Sequence, residues 1–178
     1  MAKGPSTSRA GFNSFFPVAR PDLVGAKGSA ASRLRQRPKA PTKLMEVFTK
    51  ILLVGAGGAV GANIRYWLGG WILAKLPPSS AQFPWHTMLV NISGSLVMGL
   101  FMGLFLELRW NTNWQLFVAF GVLGGYTTFS TFANEALRLL ADKNYSAALF
   151  YIEGSAVFTV FAAWVGLVMA RLILGGRV

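Results

Sequence analysis

Cysteine is absent from the chain's 178 residues, so neither a disulfide framework nor thiolate chemistry is available to it. Acids are scarce, with 6 Asp and Glu in all, and no set of His, Cys, Asp and Glu falls at metal-ligand spacing. The one histidine, His86, has no Ser and acid arranged with it for nucleophilic catalysis. No Lys or Arg stands near the middle of any long apolar run, which argues against a voltage sensor. Together these absences argue against an enzyme.

Apolar residues occupy the space instead. The chain is 53% hydrophobic, 13% charged and 13% aromatic, with a mean hydropathy of +0.48. Apolar runs extend over Val47 to Ala74, Pro84 to Leu106, Trp114 to Leu140 and Ala147 to Leu174. Each reaches the roughly 20 residues that a hydrocarbon core requires. The expectation is an all-α integral membrane protein of four transmembrane helices. A unit this small has little room to enclose a pore alone, so oligomerisation is expected.

The formal net charge of +11 belongs largely to a tail. Residues 1–42 hold 8 of the 17 Lys and Arg against the single acid Asp22, in a Gly-, Pro-, Ser- and Ala-rich stretch that reads as disordered. Residues 1–44 thus read as a basic extension and 45–178 as the membrane domain. The extension admits several explanations: translation truly starting at Met45, an Arg-rich transit segment or leader, or a segment that binds anionic lipid or nucleic acid. From Lys43 onward, Lys43, Lys50, Arg109, Arg171 and Arg177 fall on one side of a four-span chain, and Arg65, Lys75, Arg138 and Lys143 on the other. That balance gives almost no positive-inside bias. Insertion in both orientations, with antiparallel pairing, is one reading; too few charges for the rule to decide, or orientation set by the tail, is the other.

Small residues recur four apart in Gly57 and Gly61, Gly58 and Ala62, in Ser95, Gly99 and Gly103, and in Gly121 and Gly125. This spacing lets helix backbones approach closely within lipid. Polar residues form stripes of the same period: Thr87, Asn91 and Ser95 in the second run, Tyr151, Ser155 and Thr159 in the fourth. Interhelical hydrogen bonding accounts for such stripes as readily as a polar path does. An Asn as deep as Asn91 is costly unless its amide finds partners. His86 opens the second run and reads as interfacial. Glu135 and Arg138, three apart, read as a local ion pair or interface anchor, and Glu153 as an acid at the start of the fourth helix.

The stretch Gly124-Gly-Tyr-Thr-Thr-Phe-Ser-Thr-Phe132 combines paired glycines with β-branched threonines inside an apolar run. That composition weakens helix and predicts a break in the third span, where freed carbonyls can hold a cation beside a polar cavity. Phe129 and Phe132 share a face if helix resumes there, and aromatic ring edges carry the positive part of the quadrupole. Rings and hydroxyls can therefore line an anion path without a fixed cation.

Three motifs, GGAVGANIRYWL (57–68), PWHTMLVNISGSLVMG (84–99) and GVLGGYTTFSTFANE (121–135), occur in an order and spacing that resemble the Fluc (CrcB) family of fluoride channels. The likeness covers Met45 to Val178. It implies an antiparallel dual-topology homodimer with two fluoride pores in the inner (plasma) membrane, with fluoride and the lipid bilayer as partners and no nucleic acid. It implies that Phe129 and Phe132 meet the ion with their ring edges and that Asn91 donates its amide. Tyr151, Ser155 and Thr159, with Thr87 and Ser130, would form a polar track; Arg65 would draw anions into a vestibule. Gly124 and Thr127 would give backbone carbonyls to a structural Na⁺ at the dimer centre. Tyr126 matches a variable position and carries no implied role. Two rivals remain in other classes: a coupled small-ion or drug exporter that needs an intramembrane acid, Glu135 or Glu153, and a non-transporting membrane-structural protein.

Overall fold

The computed structural model describes residues 42–77, 80 and 82–175. The extension expected over residues 1–44 lies, as far as residue 41, outside the described residues. Four helices are long and apolar enough to cross a membrane: Lys43–Lys75, Trp85–Leu108, Thr112–Ala141 and Tyr145–Ile173. The first begins at Lys43 rather than Val47 because its polar first turn is itself good helix, with Glu46 suited to the amino-terminal dipole. The fourth begins at Tyr145, capped by Asn144, whose side chain accepts from Ala147 N at 3.4 Å. Glu153 therefore lies two turns inside that helix and exposed, not at its start.

The third span is not one regular helix. Gln115–Leu123 winds as a π-helix, Gly124–Tyr126 forms one α turn, and α-helix runs again over Phe129–Ala141. Thr127 (φ −80°, ψ 156°) and Thr128 (φ −149°, ψ 122°) between them are extended. Thr128 caps the following helix, its Oγ1 accepting from Thr131 N at 3.2 Å.

The second span pairs most extensively with the fourth, and the first with the third. Glycines at four-residue intervals make both contacts. A Cβ on Gly57 would meet Phe117 O and the Cα of Gly121, and one on Gly125 would meet Gly58 O, so the first and third backbones touch. A Cβ on Gly99 would likewise strike Ala163 O, and one on Gly166 would strike Leu96 O. With no ordinary hydrophobic drive between helices in lipid, such close contact is what holds them. Large apolar side chains such as Trp67, Trp71, Val160 and Leu172 face outward, as bilayer or a partner helix requires.

Candidate functional site

The extended Thr127–Thr128 pair leaves backbone groups without helical partners, and the second span supplies some. Asn91 Nδ2 donates to Thr128 O at 3.0 Å, while Thr128 N donates to Asn91 Oδ1 at 2.9 Å. One side-chain amide thus closes both backbone groups of Thr128 in the manner of a strand neighbour, which answers the cost of placing Asn91 in an apolar span. The second Nδ2 hydrogen remains. Thr127 Oγ1 donates to Leu123 O at 3.0 Å, the same oxygen that Thr127 N reaches at 3.0 Å.

Along this junction runs an open groove of about 340 Å³, lined by Asn91, Ser95, Phe129, Phe132, Ser155 and Thr159 among others. The groove gathers Ser155 and Thr159 of the expected polar track beside Asn91, Phe129 and Phe132, and leaves out Thr87, Ser130 and Tyr151. The rings of Phe129 and Phe132 lie 5.4 Å apart between centroids, and Phe129 is 80% exposed. Ser155 Oγ is buried with no hydrogen-bond partner, a donor held in reserve. Thr159 is otherwise disposed: its hydroxyl donates to Ser155 O at 2.7 Å or to Ala156 O at 3.1 Å, turning the proton into its own helix. Ser130 is exposed and outside the groove lining, its Oγ 3.4 Å from Thr128 Oγ1.

Thr87 and Tyr151 go elsewhere. Thr87 Oγ1 donates to Glu135 Oε1 at 2.9 Å, and Tyr151 OH donates to Glu135 Oε2 at 2.7 Å. His86 Nε2 stands 3.4 Å from Glu135 Oε1. Among the described residues Glu135 forms no pair with Arg138, so the local ion pair expected from their spacing is not made. The carboxylate points across the bundle, where two hydroxyls and an imidazole converge on it from the second and fourth spans. The cluster is tied to the groove through Tyr151, which is fully buried and whose ring lies 5.0 Å from that of Phe132.

Arg65 lines a second cavity, of about 860 Å³, with Trp67, His86, Thr87, Thr128 and Thr131. Thr128 also lines the phenylalanine groove, so it borders both spaces. Tyr126, to which no role was assigned, is buried with its hydroxyl 2.8 Å from Ser93 Oγ, joining the second and third spans. Glu135 is the site residue that sequence reasoning misplaced, since its partners are 48 and 16 positions away.

Gly124 O and Thr127 O are the two carbonyls expected to hold a cation. In a continuous helix they would accept from the amides of Thr128 and Thr131. Those amides donate to Asn91 Oδ1 and Thr128 Oγ1 instead. Both oxygens are hard donors of the kind an alkali cation takes, and the residues present fit such an ion. No group of three or more His, Cys, Asp or Glu that would hold a metal exists among the described residues.

Comparison with known proteins adds an independent line. The family model described as CrcB-like protein, Camphor Resistance (CrcB), matches residues 52–167. A protein of Rhizobium meliloti (strain 1021) named fluoride-specific ion channel FluC is 40% identical over 126 residues, which are 70% of this chain and 98% of the relative. A protein of the same name in Thermus thermophilus is 40% identical over 126 residues, covering 71% of this chain and 97% of its own. In Nitrobacter hamburgensis a protein named fluoride-specific ion channel FluC 1 is 41% identical over 128 residues, covering 71% and 98%.

Proposed function

This chain belongs to the CrcB family, and on that premise we propose that it is a fluoride-selective channel of the plasma membrane that lets fluoride leave passively and so relieves its toxicity. The observation that carries the reading beyond the family is the groove. Two phenylalanine rings, the buried and unpartnered Ser155 Oγ and the spare amide hydrogen of Asn91 share one surface with no Lys or Arg in its lining.

The physical task is desolvation. Fluoride is small and holds its water tightly, so a pore must offer hydrogen-bond donors where water is stripped. Ser155 and Asn91 are such donors, and the ring edges of Phe129 and Phe132 give weak sites from which the ion can move on. A buried Lys or Arg would trap the ion; none lines the groove. Direction needs no pump, because a negative-inside potential favours anion exit by about 2.3 kcal/mol per charge per 100 mV. Hydrogen fluoride crosses the bilayer neutral and ionises inside, which sets the load that the channel relieves. Thr87 and Tyr151 serve the pore through Glu135, fixing the wall behind Phe132, while Arg65 raises anion concentration at a vestibule.

The functional unit is an antiparallel homodimer with two pores, supported by the weak charge bias between loops and by the outward apolar faces of single copies. The interrupted third helix serves as its centre. A structural Na⁺ there would be held by Gly124 and Thr127 carbonyls, and supplies a fixed positive charge that satisfies oxygens the helix has released. The exporter alternative gains one observation, the acid Glu135 within the third span, but its hydroxyl partners and the family assignment favour the channel.

The test is passive efflux from liposomes containing the purified protein, read with fluoride and then chloride electrodes, with Phe132→Ile alongside. Rapid fluoride release, negligible chloride release and loss in the variant are expected. Equal chloride release, or no fluoride release from folded protein, would overturn the reading.

A further inference from the structure

Tyr126 is a buried polar side chain that the fluoride path leaves without a task. It closes the single α turn before the extended Thr127–Thr128 pair, and only 8% of it is exposed. Its hydroxyl lies 2.8 Å from Ser93 Oγ. Ser93 Oγ gives its own proton to Val90 O at 3.0 Å, so in this pair Tyr126 donates and Ser93 accepts. Two residues earlier on the second span, Asn91 makes its paired bonds to Thr128. At about 100° per residue, Asn91 and Ser93 leave their helix on opposite flanks, and Gly94 falls on the shorter arc between them. A Cβ on Gly94 would strike Thr127 Cγ2 and the Tyr126 ring, so the broken segment lies directly over that bare position. The second span therefore grips the break on both sides, Asn91 through the backbone of Thr128 and Ser93 through the side chain of Tyr126.

We propose that Ser93 and Tyr126 are positioning residues of the fluoride path, the second arm of a clamp whose first arm is the Asn91–Thr128 pair. The inference rests on the fluoride-channel reading. Asn91, Gly94, Thr127 and Thr128 all line the phenylalanine groove, and Phe129 follows Thr128 directly. Neither Ser93 nor Tyr126 lines it, so both act through the backbone that they hold. With the Asn91 arm alone, the extended pair could still turn about that attachment, carrying the Phe129 ring toward or away from the spare amide hydrogen of Asn91. A second arm on the opposite flank removes that freedom. Donors and ring edges must be held to about half an ångström if they are to replace the water of a small ion. A groove that loosens loses that fit for fluoride and admits chloride, which is larger and gives up its water more easily. Selectivity is the property that the hydroxyl pair governs.

The full chain in liposomes is assayed for passive fluoride and chloride release, each rate divided by the amount of folded protein, with thermal unfolding measured alongside. Tyr126→Phe keeps the ring and removes the donor; Ser93→Ala removes the acceptor. Each is expected to lower the fluoride-to-chloride rate ratio by about fivefold, the rate equivalent of one hydrogen bond. The double variant should lose no more than either single one, because both remove the same bond. Ser93→Thr keeps the hydroxyl and is expected to keep the parent's ratio. A pair that merely packed the bundle would lower the melting midpoint and leave the ratio per folded protein unchanged, and that result overturns the clamp. Losses that multiply in the double variant overturn it too. If Tyr126→Phe yields no folded protein, Ser93→Ala against Ser93→Thr decides by the same ratio. Absence of fluoride release from the parent sinks the channel reading itself, whereas selective release that the variants retain sinks the clamp alone.

Discussion

Replacing Asn91 by Leu keeps the branched outline of the side chain and removes both of its hydrogen bonds to Thr128. The Thr128 N–H and C=O are then left inside a membrane protein without partners. Each such group costs about 1–3 kcal/mol, so the loss is about 2–6 kcal/mol, a large part of the 5–15 kcal/mol that typically separates folded from unfolded states. Asn91→Asp separates structure from permeation. It keeps the acceptor for Thr128 N, loses the donor to Thr128 O, and places a negative charge on the groove. At roughly 5–6 Å and an effective dielectric near 20, that charge opposes a fluoride ion by about 3 kcal/mol, or roughly 100-fold in rate. The assay is paired: thermal unfolding of detergent-solubilised protein for stability, liposome efflux for permeation. Leu is expected to melt well below the parent, and Asp to melt closer to it yet conduct poorly. An Asn91→Leu protein that melts with the parent and conducts at its rate would refute the role assigned to the Asn91–Thr128 pair.

Gly57→Val puts a Cβ against Phe117 O and the backbone of Gly121; the expected cost is about 3 kcal/mol or more, seen as a lowered melting midpoint, while Gly55→Ala, where a Cβ meets open space, should leave the midpoint unchanged. Exchanging Na⁺ for a bulky organic cation at constant ionic strength should lower the melting midpoint, by the equivalent of about 2.7 kcal/mol if Na⁺ stood at 100 times its dissociation constant; an unchanged midpoint argues against the ion. Because the chain has no cysteine, Lys143→Cys gives one site for a membrane-impermeant maleimide in intact cells. Insertion in both orientations predicts that about half the copies react, and all-or-none labelling refutes dual topology.

The four spans were legible because apolar length alone specifies them, and their limits moved furthest at the start of the first, where a polar first turn from Lys43 is good helix. The glycine contacts were legible because a four-residue interval fixes a helix face, although the interval does not say which helix lies opposite. The same interval put Thr87, Asn91 and Ser95 on one stripe, yet Thr87 donates to Glu135, Asn91 serves Thr128, and Ser95 lines the groove with Asn91. A stripe gives direction along one helix; hydrogen-bond partners depend on the neighbours' rotation, which composition does not encode. Glu135 shows the limit most plainly. Its nearest opposite charge in sequence is Arg138, one turn away, and local reasoning pairs them. In the fold Arg138 is exposed, while Glu135 turns inward to hydroxyls and an imidazole.

That inward turn bears on how an anion channel can contain an acid at all. A lone buried carboxylate would be expensive and would repel the permeating ion, so its charge must be dispersed by donors or cancelled by a cation. Thr87 and Tyr151 disperse it at all times, and their hydroxyls are thereby withdrawn from the ion path. Donors for a dehydrated fluoride must then come from groups that the fold leaves unspent, which among the described groove residues include Ser155 Oγ, the Ser95 hydroxyl and the second amide hydrogen of Asn91. On this account the polar residues divide by what their protons already do. Loss of Ser155 Oγ as Ser155→Ala should slow fluoride with little change in stability, because no bond is broken, whereas Tyr151→Phe should cost stability by stripping Glu135 of a partner. If Ser155→Ala conducts normally while Tyr151→Phe folds normally and stops fluoride, the division is wrong and the hydroxyls held by Glu135 are the ones the ion uses.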